Sequence, residues 1–245
     1  MPRTRLHIAT KLGANSILEV DADKARYLSR VLRLRVGDCV TVFDGLGAEY
    51  LATIATIGRS SATLHVGEET TTNTESNLRL HLVQGISRGE RMDFVVQKAT
   101  ELGVKRITPV LTEFGVVKLD TARAEKRREH WQKVAASACE QSGRVRLPLI
   151  DTPIPLKNWF GSKTQQIDTE IILKPGAPIT LAGIAGPATK VCLLIGPEGG
   201  FSDNEFEDAA IAGFQAVSLG PRVLRTETAA VAALAVMQSL WGDLS

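Results

Sequence analysis

Three short runs near the start of the chain either alternate apolar with polar residues or cluster β-branched ones: Cys39 to Phe43, Glu49 to Ile57 and Ala62 to Val66. A two-residue period is the mark of a strand with one buried face. Asp44-Gly45-Leu46-Gly47 and Gly58-Arg59-Ser60-Ser61 supply turn chemistry between the runs. Ahead of them, Ala22 to Leu34 takes a helical period, with Ala25, Leu28, Val31 and Leu32 facing inward and Lys24, Arg26, Arg30 and Arg33 outward. Several short strands with one helix predict a small β-barrel. The stretch from Glu69 to Asn77 holds no apolar residue and reads as a linker.

Beyond the linker the pattern changes to strands alternating with helices. Strands are predicted at Leu78 to Ile86, Arg106 to Leu111, Pro148 to Thr152, Glu170 to Leu173, Val191 to Ile195 and Ala216 to Leu219. Helices are predicted at Arg91 to Leu102, Ala124 to Ser142, Ser202 to Ala212 and Thr226 to Trp241. Gly103 and Gly143 end the first two, and Ser202-x-x-Glu205 opens the third with a capping box. The fold class is therefore α/β with a mostly parallel sheet behind a small β-rich domain. The division falls at residues 1–72 and 73–245.

Composition narrows the class. The apolar fraction of 44% is enough for a real core, and at 5% aromatic that core is aliphatic. No apolar stretch reaches the roughly 18 residues of a membrane span. No apolar signal core follows Met1, and Cys39, Cys139 and Cys192 are isolated, which fits a reducing cytoplasm. The net charge is only +2, but it is unevenly spread. Eight Lys/Arg stand against three acids from Met1 to Arg35, whereas Arg59 is the one base against six acids from Val36 to Glu75. A basic N-terminal face suits a polyanion.

Candidate chemistry gathers in two loops. Gly196-Pro197-Glu198-Gly199-Gly200 follows the strand ending at Ile195, and Gly220-Pro221-Arg222-Val223-Leu224-Arg225-Thr226-Glu227-Thr228 follows the strand ending at Leu219. Open α/β sheets bind ligands outside the carboxyl ends of their strands. Prolines stiffen both loops, and glycines let backbone groups approach a flat heteroaromatic such as adenine. Neither GxGxxG, nor a phosphate-binding P-loop, nor a metal-binding cluster is present. Gly85-Ile86-Ser87-Arg88-Gly89 fits the nucleophile-elbow pattern and makes a serine hydrolase a remote alternative. Ser87, Arg88 and Arg91 read better as a polar loop at the sheet's edge. Lys98 and Glu101 are spaced for an ion pair.

Five segments together resemble the ribosomal RNA small-subunit methyltransferase E family. They are Leu219 to Ala229, Gly196 to Gly200, Gln97 to Gly103, Cys139 to Arg144 and Tyr27 to Leu34, in order over nearly the whole chain. The resemblance implies a PUA-like RNA-binding barrel, then a SPOUT domain with a deep trefoil knot. It also implies a homodimer through the C-terminal domain, S-adenosylmethionine as methyl donor, no metal, and methylation of N3 of one uridine in the 16S rRNA of the small ribosomal subunit. A non-catalytic RNA-binding protein is the main alternative.

By the same resemblance, the cofactor is held by Leu173, Ile195, Gly196, Glu198, Gly199, Gly200, Leu219, Gly220, Leu224, Thr226, Thr228 and Ala229. Uracil N3 carries a proton, so a base and an anion stabiliser are required. Glu198 and Glu227 are candidates for the first, Arg225 and Arg144 for the second. Glu227 equally suits the positive end of a helix dipole. Arg3, Arg5, Arg30, Arg33, Arg35, Arg88 and Arg91 are the RNA-contact candidates.

Overall fold

A computed structural model describes residues 4–58, 60–70, 74–116, 120–163, 167–184, 186 and 188–244. Arg59 of the second turn and residues 71–73 of the linker lie outside the described residues. The chain forms two compact units, residues 1–75 with 139–147, and residues 76–138 with 148–245.

The first unit holds β1 (Arg5–His7), β2 (Ser16–Val20), α1 (Ala22–Arg26), β3 (Cys39–Phe43), β4 (Glu49–Ile57) and β5 (Ala62–Glu69). Its sheet runs in the order β1-β3-β4-β5-β2, with β1 parallel to β3 and the remaining pairs antiparallel. Register shifts between Tyr50 and Ala52 and between Ile54 and Thr56 bend β4. Leu6, Leu28, Val40, Val42, Ile54 and Leu64 fill the core. β1 and β2, with burial patterns only partly alternating, were not legible in the sequence.

The basic helix departs from its expected form. Asp21 caps α1 by accepting a hydrogen bond from the Lys24 backbone N–H at 2.8 Å. The chain then widens into a π-helical turn, Tyr27–Val31, in which the Leu32 N–H donates to the Tyr27 carbonyl. The extra residue per turn rotates Val31 outward, leaving it 66% exposed rather than in the core. Arg33 then reverses the chain at φ 57°.

Residues 139–147 complete this unit, although the sequence pattern assigns them to the other. The Arg5 guanidinium donates to the Arg144 carbonyl at 2.9 Å, the His7 N–H to Glu140 at 2.9 Å, and the Leu147 N–H to the Gly45 carbonyl at 3.0 Å. Arg144 is buried and paired with Glu75 at 2.9 Å. Glu75 is thus anchored rather than part of a loose linker.

The second unit contains β6 (Arg79–Gly85), α2 (Arg91–Glu101), β7 (Arg106–Leu111), α3 (Thr121–Ser142, whose last turn belongs to the first unit), β8 (Leu149–Ile150), β9 (Ile154–Pro155), α4 (Leu156–Gly161), β10 (Thr169–Leu173), β11 (Lys190–Ile195), α5 (Asp203–Ile211), β12 (Gln215–Val217) and α6 (Thr226–Trp241). The strands pair in parallel in the order β12-β10-β11-β6-β7-β8, with β9 also on β7. Such a sheet is covered on both faces. α2 and α6 share one core with Leu82, Ile107, Trp131 and Leu193, while Val83, Leu194, Trp159, Phe201 and Phe214 pack in another. The short β9 and α4 carried no sequence signal. Lys98 and Glu101 do pair, at 2.8 Å, and the Ser202 capping box forms in full.

β6 lies in the middle of the sheet, so the loop after it is not an edge loop. Ser87 in that loop is fully buried. His130 is engaged with Asp93 at 2.7 Å. A serine nucleophile must be exposed beside a base, so the hydrolase alternative falls.

Candidate functional site: a cavity at the carboxyl ends of the strands

Three strand ends enclose a cavity of about 640 Å³. Leu173 to Pro175 lie at the end of β10, Ile195 to Glu198 with Gly200 at the end of β11, and Val217 to Gly220 at the end of β12. Arg222 to Glu227 and Ala229 close it with the start of α6, and Arg91 enters from α2. Its volume is that of an ordinary small-molecule site, and Leu173, Ile195, Val217, Leu219 and Leu224 give it the apolar walls that suit a flat heteroaromatic.

Close packing fixes the loops. A Cβ on Gly85 would stand 2.5 Å from the Pro197 nitrogen and 2.9 Å from the Gly196 carbonyl carbon, so only glycine lets the β6 and β11 loops approach this closely. The Thr226 hydroxyl donates to the Gly196 carbonyl at 2.7 Å and accepts from the Gln84 side-chain amide at 2.9 Å. Thr226 therefore joins the two glycine loops and has no hydroxyl proton left for a ligand. At Gly220 the chain turns at φ +94°, where an L side chain is strained.

Most of the sequence-predicted cofactor residues meet here: Leu173, Ile195, Gly196, Glu198, Gly200, Leu219, Gly220, Leu224, Thr226 and Ala229 line the cavity. Two do not. Gly199 packs against Phe114, whose carbonyl oxygen would be 2.8 Å from an added Cβ, and Thr228 is exposed on the first turn of α6, away from the cavity. Lys174, Pro175, Phe201, Phe206, Val217 and Ser218 were missed. Lys174-Pro175-Gly176 after a strand is a third stiff loop and was the available signal. Phe206 carries the Lys174 ammonium 4.5 Å over its ring, a through-space pairing with no mark in the sequence.

The charged candidates separate. Arg225 and Glu227 line the cavity, whereas Arg144 sits in the first unit with Glu75. Glu198 accepts from the Arg91 guanidinium at 2.6 Å and the Arg88 backbone N–H at 3.1 Å. Burial pushes its carboxyl up, but the hydrogen bonds from its own backbone N–H, Arg91 and Arg88 outweigh that and hold it below the usual carboxylate range. Arg91 also reaches to 4.0 Å from Glu227.

Among the RNA-contact candidates, Arg30, Arg33, Arg35 and Arg88 are exposed, and Arg3 lies outside the described residues. Arg5 is largely covered, in an ion pair with Glu49 and 4.8 Å over the Phe43 ring, so it ties the first unit together. Among the described residues no His/Cys/Asp/Glu group could hold a metal, and no helix is long and apolar enough to cross a membrane.

Known proteins share this design along the whole chain. Residues 74–238 match the RNA methyltransferase domain and residues 20–67 the RNA methyltransferase PUA domain. The ribosomal RNA small subunit methyltransferase E of Buchnera aphidicola is 33% identical over 98% of this chain and 94% of its own. The crystal structure of the Neisseria gonorrhoeae ribosomal RNA small subunit methyltransferase E bound to S-adenosyl methionine superposes with a TM-score of 0.92 at 39% identity, covering 99% of this chain and 100% of that one. A second structure with bound cofactor SAM, from Legionella pneumophila, gives 0.94 at 37% identity over 100% of each chain. With both domains matched in order, and a cavity where the sheet of such an enzyme should carry one, the chain belongs to the ribosomal RNA small subunit methyltransferase E family.

Proposed function

We propose that this protein transfers a methyl group from S-adenosylmethionine to ribosomal RNA of the small subunit, at N3 of a uridine in 16S rRNA. The observation that carries the reading is the apolar cavity at the ends of β10, β11 and β12 in a chain that aligns end to end with a SAM-bound relative. The residues present fit that donor: stiff loops offer backbone groups around an apolar slot. When bound, the donor supplies an already activated methyl on a sulfonium.

The chain's own task is alignment and charge. Leu173, Ile195, Leu219 and Leu224 enclose the heteroaromatic part, and the backbone around Gly196, Gly200 and Gly220 orients it. Arg225, at the N-terminal boundary of α6 on the cavity, stabilises the anion that forms on the uracil ring oxygens. Arg30, Arg33 and Arg35 in the 1–72 domain, with Arg88 beside the cavity loop, hold the RNA backbone. The 73–245 domain carries catalysis and, through α6, a homodimer contact: Ala229, Val236 and Leu240 on that helix are not fully enclosed. Support for a knot comes from the path after β12, which leaves one end of the strand order and returns to Gly196 and Gln84 in its middle. The cytoplasm, where ribosomal RNA is assembled, is its place of action.

The test is incubation with labelled S-adenosylmethionine and unmodified small ribosomal subunits or 16S rRNA, followed by nucleoside digestion. Label recovered as 3-methyluridine is the expected result. Label on another nucleoside overturns the target, and no transfer at all overturns the reading.

A further inference from the structure

We infer that Glu227 is the catalytic residue that removes the N3 proton of the target uracil, and that Glu198, the other carboxylate on the cavity, is a positioning residue. The inference rests on the methyltransferase reading above.

The two carboxylates differ in what already holds them. Glu198 Oε1 accepts two hydrogen bonds, one from each end of the segment Arg88 to Arg91, and so ties the β11 loop to the β6 loop. A carboxylate occupied in this way and held below its usual range is a weak proton acceptor. Glu227 lines the same cavity with only 17% of its side chain exposed. Its Oε2 is buried and has no hydrogen-bond partner among the described residues. Leaving a buried acceptor unmet costs the desolvation penalty of that group with no hydrogen bond to offset it. Complementing the α6 dipole does not account for that burial, because an exposed carboxylate would serve the dipole as well.

Glu227 is thus the cavity carboxylate with no hydrogen bond from a neighbouring side chain among the described residues, whereas Glu198 is already held. Arg91 reaches to 4.0 Å from Glu227, and Arg91 and Arg225, both exposed, line the same cavity. The charged groups around the cavity are Arg91 from α2, Lys174 after β10, Glu198 after β11, and Arg222 and Arg225 after β12. In the step, the N3–H bond breaks and its proton passes to the Glu227 carboxylate. The electron pair left on N3 forms the bond to the methyl carbon, whose bond to sulfur breaks with its pair remaining on sulfur. The proton then leaves Glu227 for solvent, and the sulfonium charge is cancelled.

The experiment compares wild type, Glu227→Gln, Glu227→Asp and Glu198→Gln for S-adenosylmethionine affinity by calorimetry and for single-turnover methylation of small subunits from about pH 7 to about pH 9. Glu227→Gln is expected to bind the donor within about twofold of wild type and to lose roughly 10²–10⁴ in rate. Its residual rate should climb about tenfold per pH unit while that of wild type stays nearly level, because the uracil anion must then form without a protein base. Glu227→Asp should recover part of the rate, and Glu198→Gln should weaken donor binding while keeping the wild-type pH profile. A Glu227→Gln enzyme of near wild-type rate, or one whose loss lies wholly in donor affinity with an unchanged pH profile, overturns the assignment. Failure of the wild-type protein to methylate overturns instead the reading on which it rests.

Discussion

At Gly85 a single hydrogen in place of a methyl group decides whether two loops can meet. The position lies on a buried strand end and would accept alanine by polarity alone, yet the backbone of Gly196 and Pro197 occupies the space of a Cβ. Backbone cannot step aside as a flexible side chain can. Gly85→Ala should therefore push the β11 loop off its seat, weakening S-adenosylmethionine binding by at least about tenfold, or about 1.4 kcal/mol, while the far-ultraviolet spectrum stays native. Calorimetric affinity unchanged from wild type would show that the loop relaxes freely. The same scale explains what the sequence could not reveal about charges. Arg5 and Arg30 look equivalent in a basic stretch, but Arg5 is held by Glu49, Phe43 and the Arg144 carbonyl, and Arg30 is exposed.

Among the elements, the π-helical turn Tyr27–Val31 does the most to reshape the chain's surface. It turns Tyr27 and Val31 outward beside Arg26, Arg30, Arg33 and Arg35, so the exposed face is basic with apolar points in it. Such a face suits phosphates with stacked or partly buried bases between them. Replacing Arg30, Arg33 and Arg35 together by Ala should lower RNA affinity and reduce the slope of log affinity against log salt by roughly 2, leaving donor affinity unchanged. Equal slopes for variant and wild type, measured by filter binding, would remove these arginines from the RNA interface. The helical period of Ala22 to Leu34 was legible, but its inward face was wrong at Val31, because an i to i−5 hydrogen bond shifts every later side chain around the axis.

The molecule as a whole is divided differently in space than along the chain. The first unit needs residues 139–147, which supply partners to Arg5, His7, Gly45, Thr74 and Glu75. A fragment ending at residue 75 loses these contacts, so it should not give a dispersed amide spectrum or a cooperative melt. Joining 139–147 to it by a flexible linker should restore both. A fragment of residues 1–75 that folds alone would mean that the barrel core suffices.

Apart from β1, β2, β9 and α4, the order of strands and helices was legible, as were the change of period after the linker and the glycine loops at strand ends, since each depends on neighbours within a few residues. So was family membership, because five local segments keep their order over the chain. What only the tertiary structure decided is which groups are already satisfied: that Arg144 is spent on Glu75, that Thr226 is spent on Gly196 and Gln84, that Ser87 is shut in, and that Glu198 is held while Glu227 keeps an unpartnered oxygen. A side chain's chemistry depends on its partners through space, and those partners lie 30 to 142 residues away along this chain.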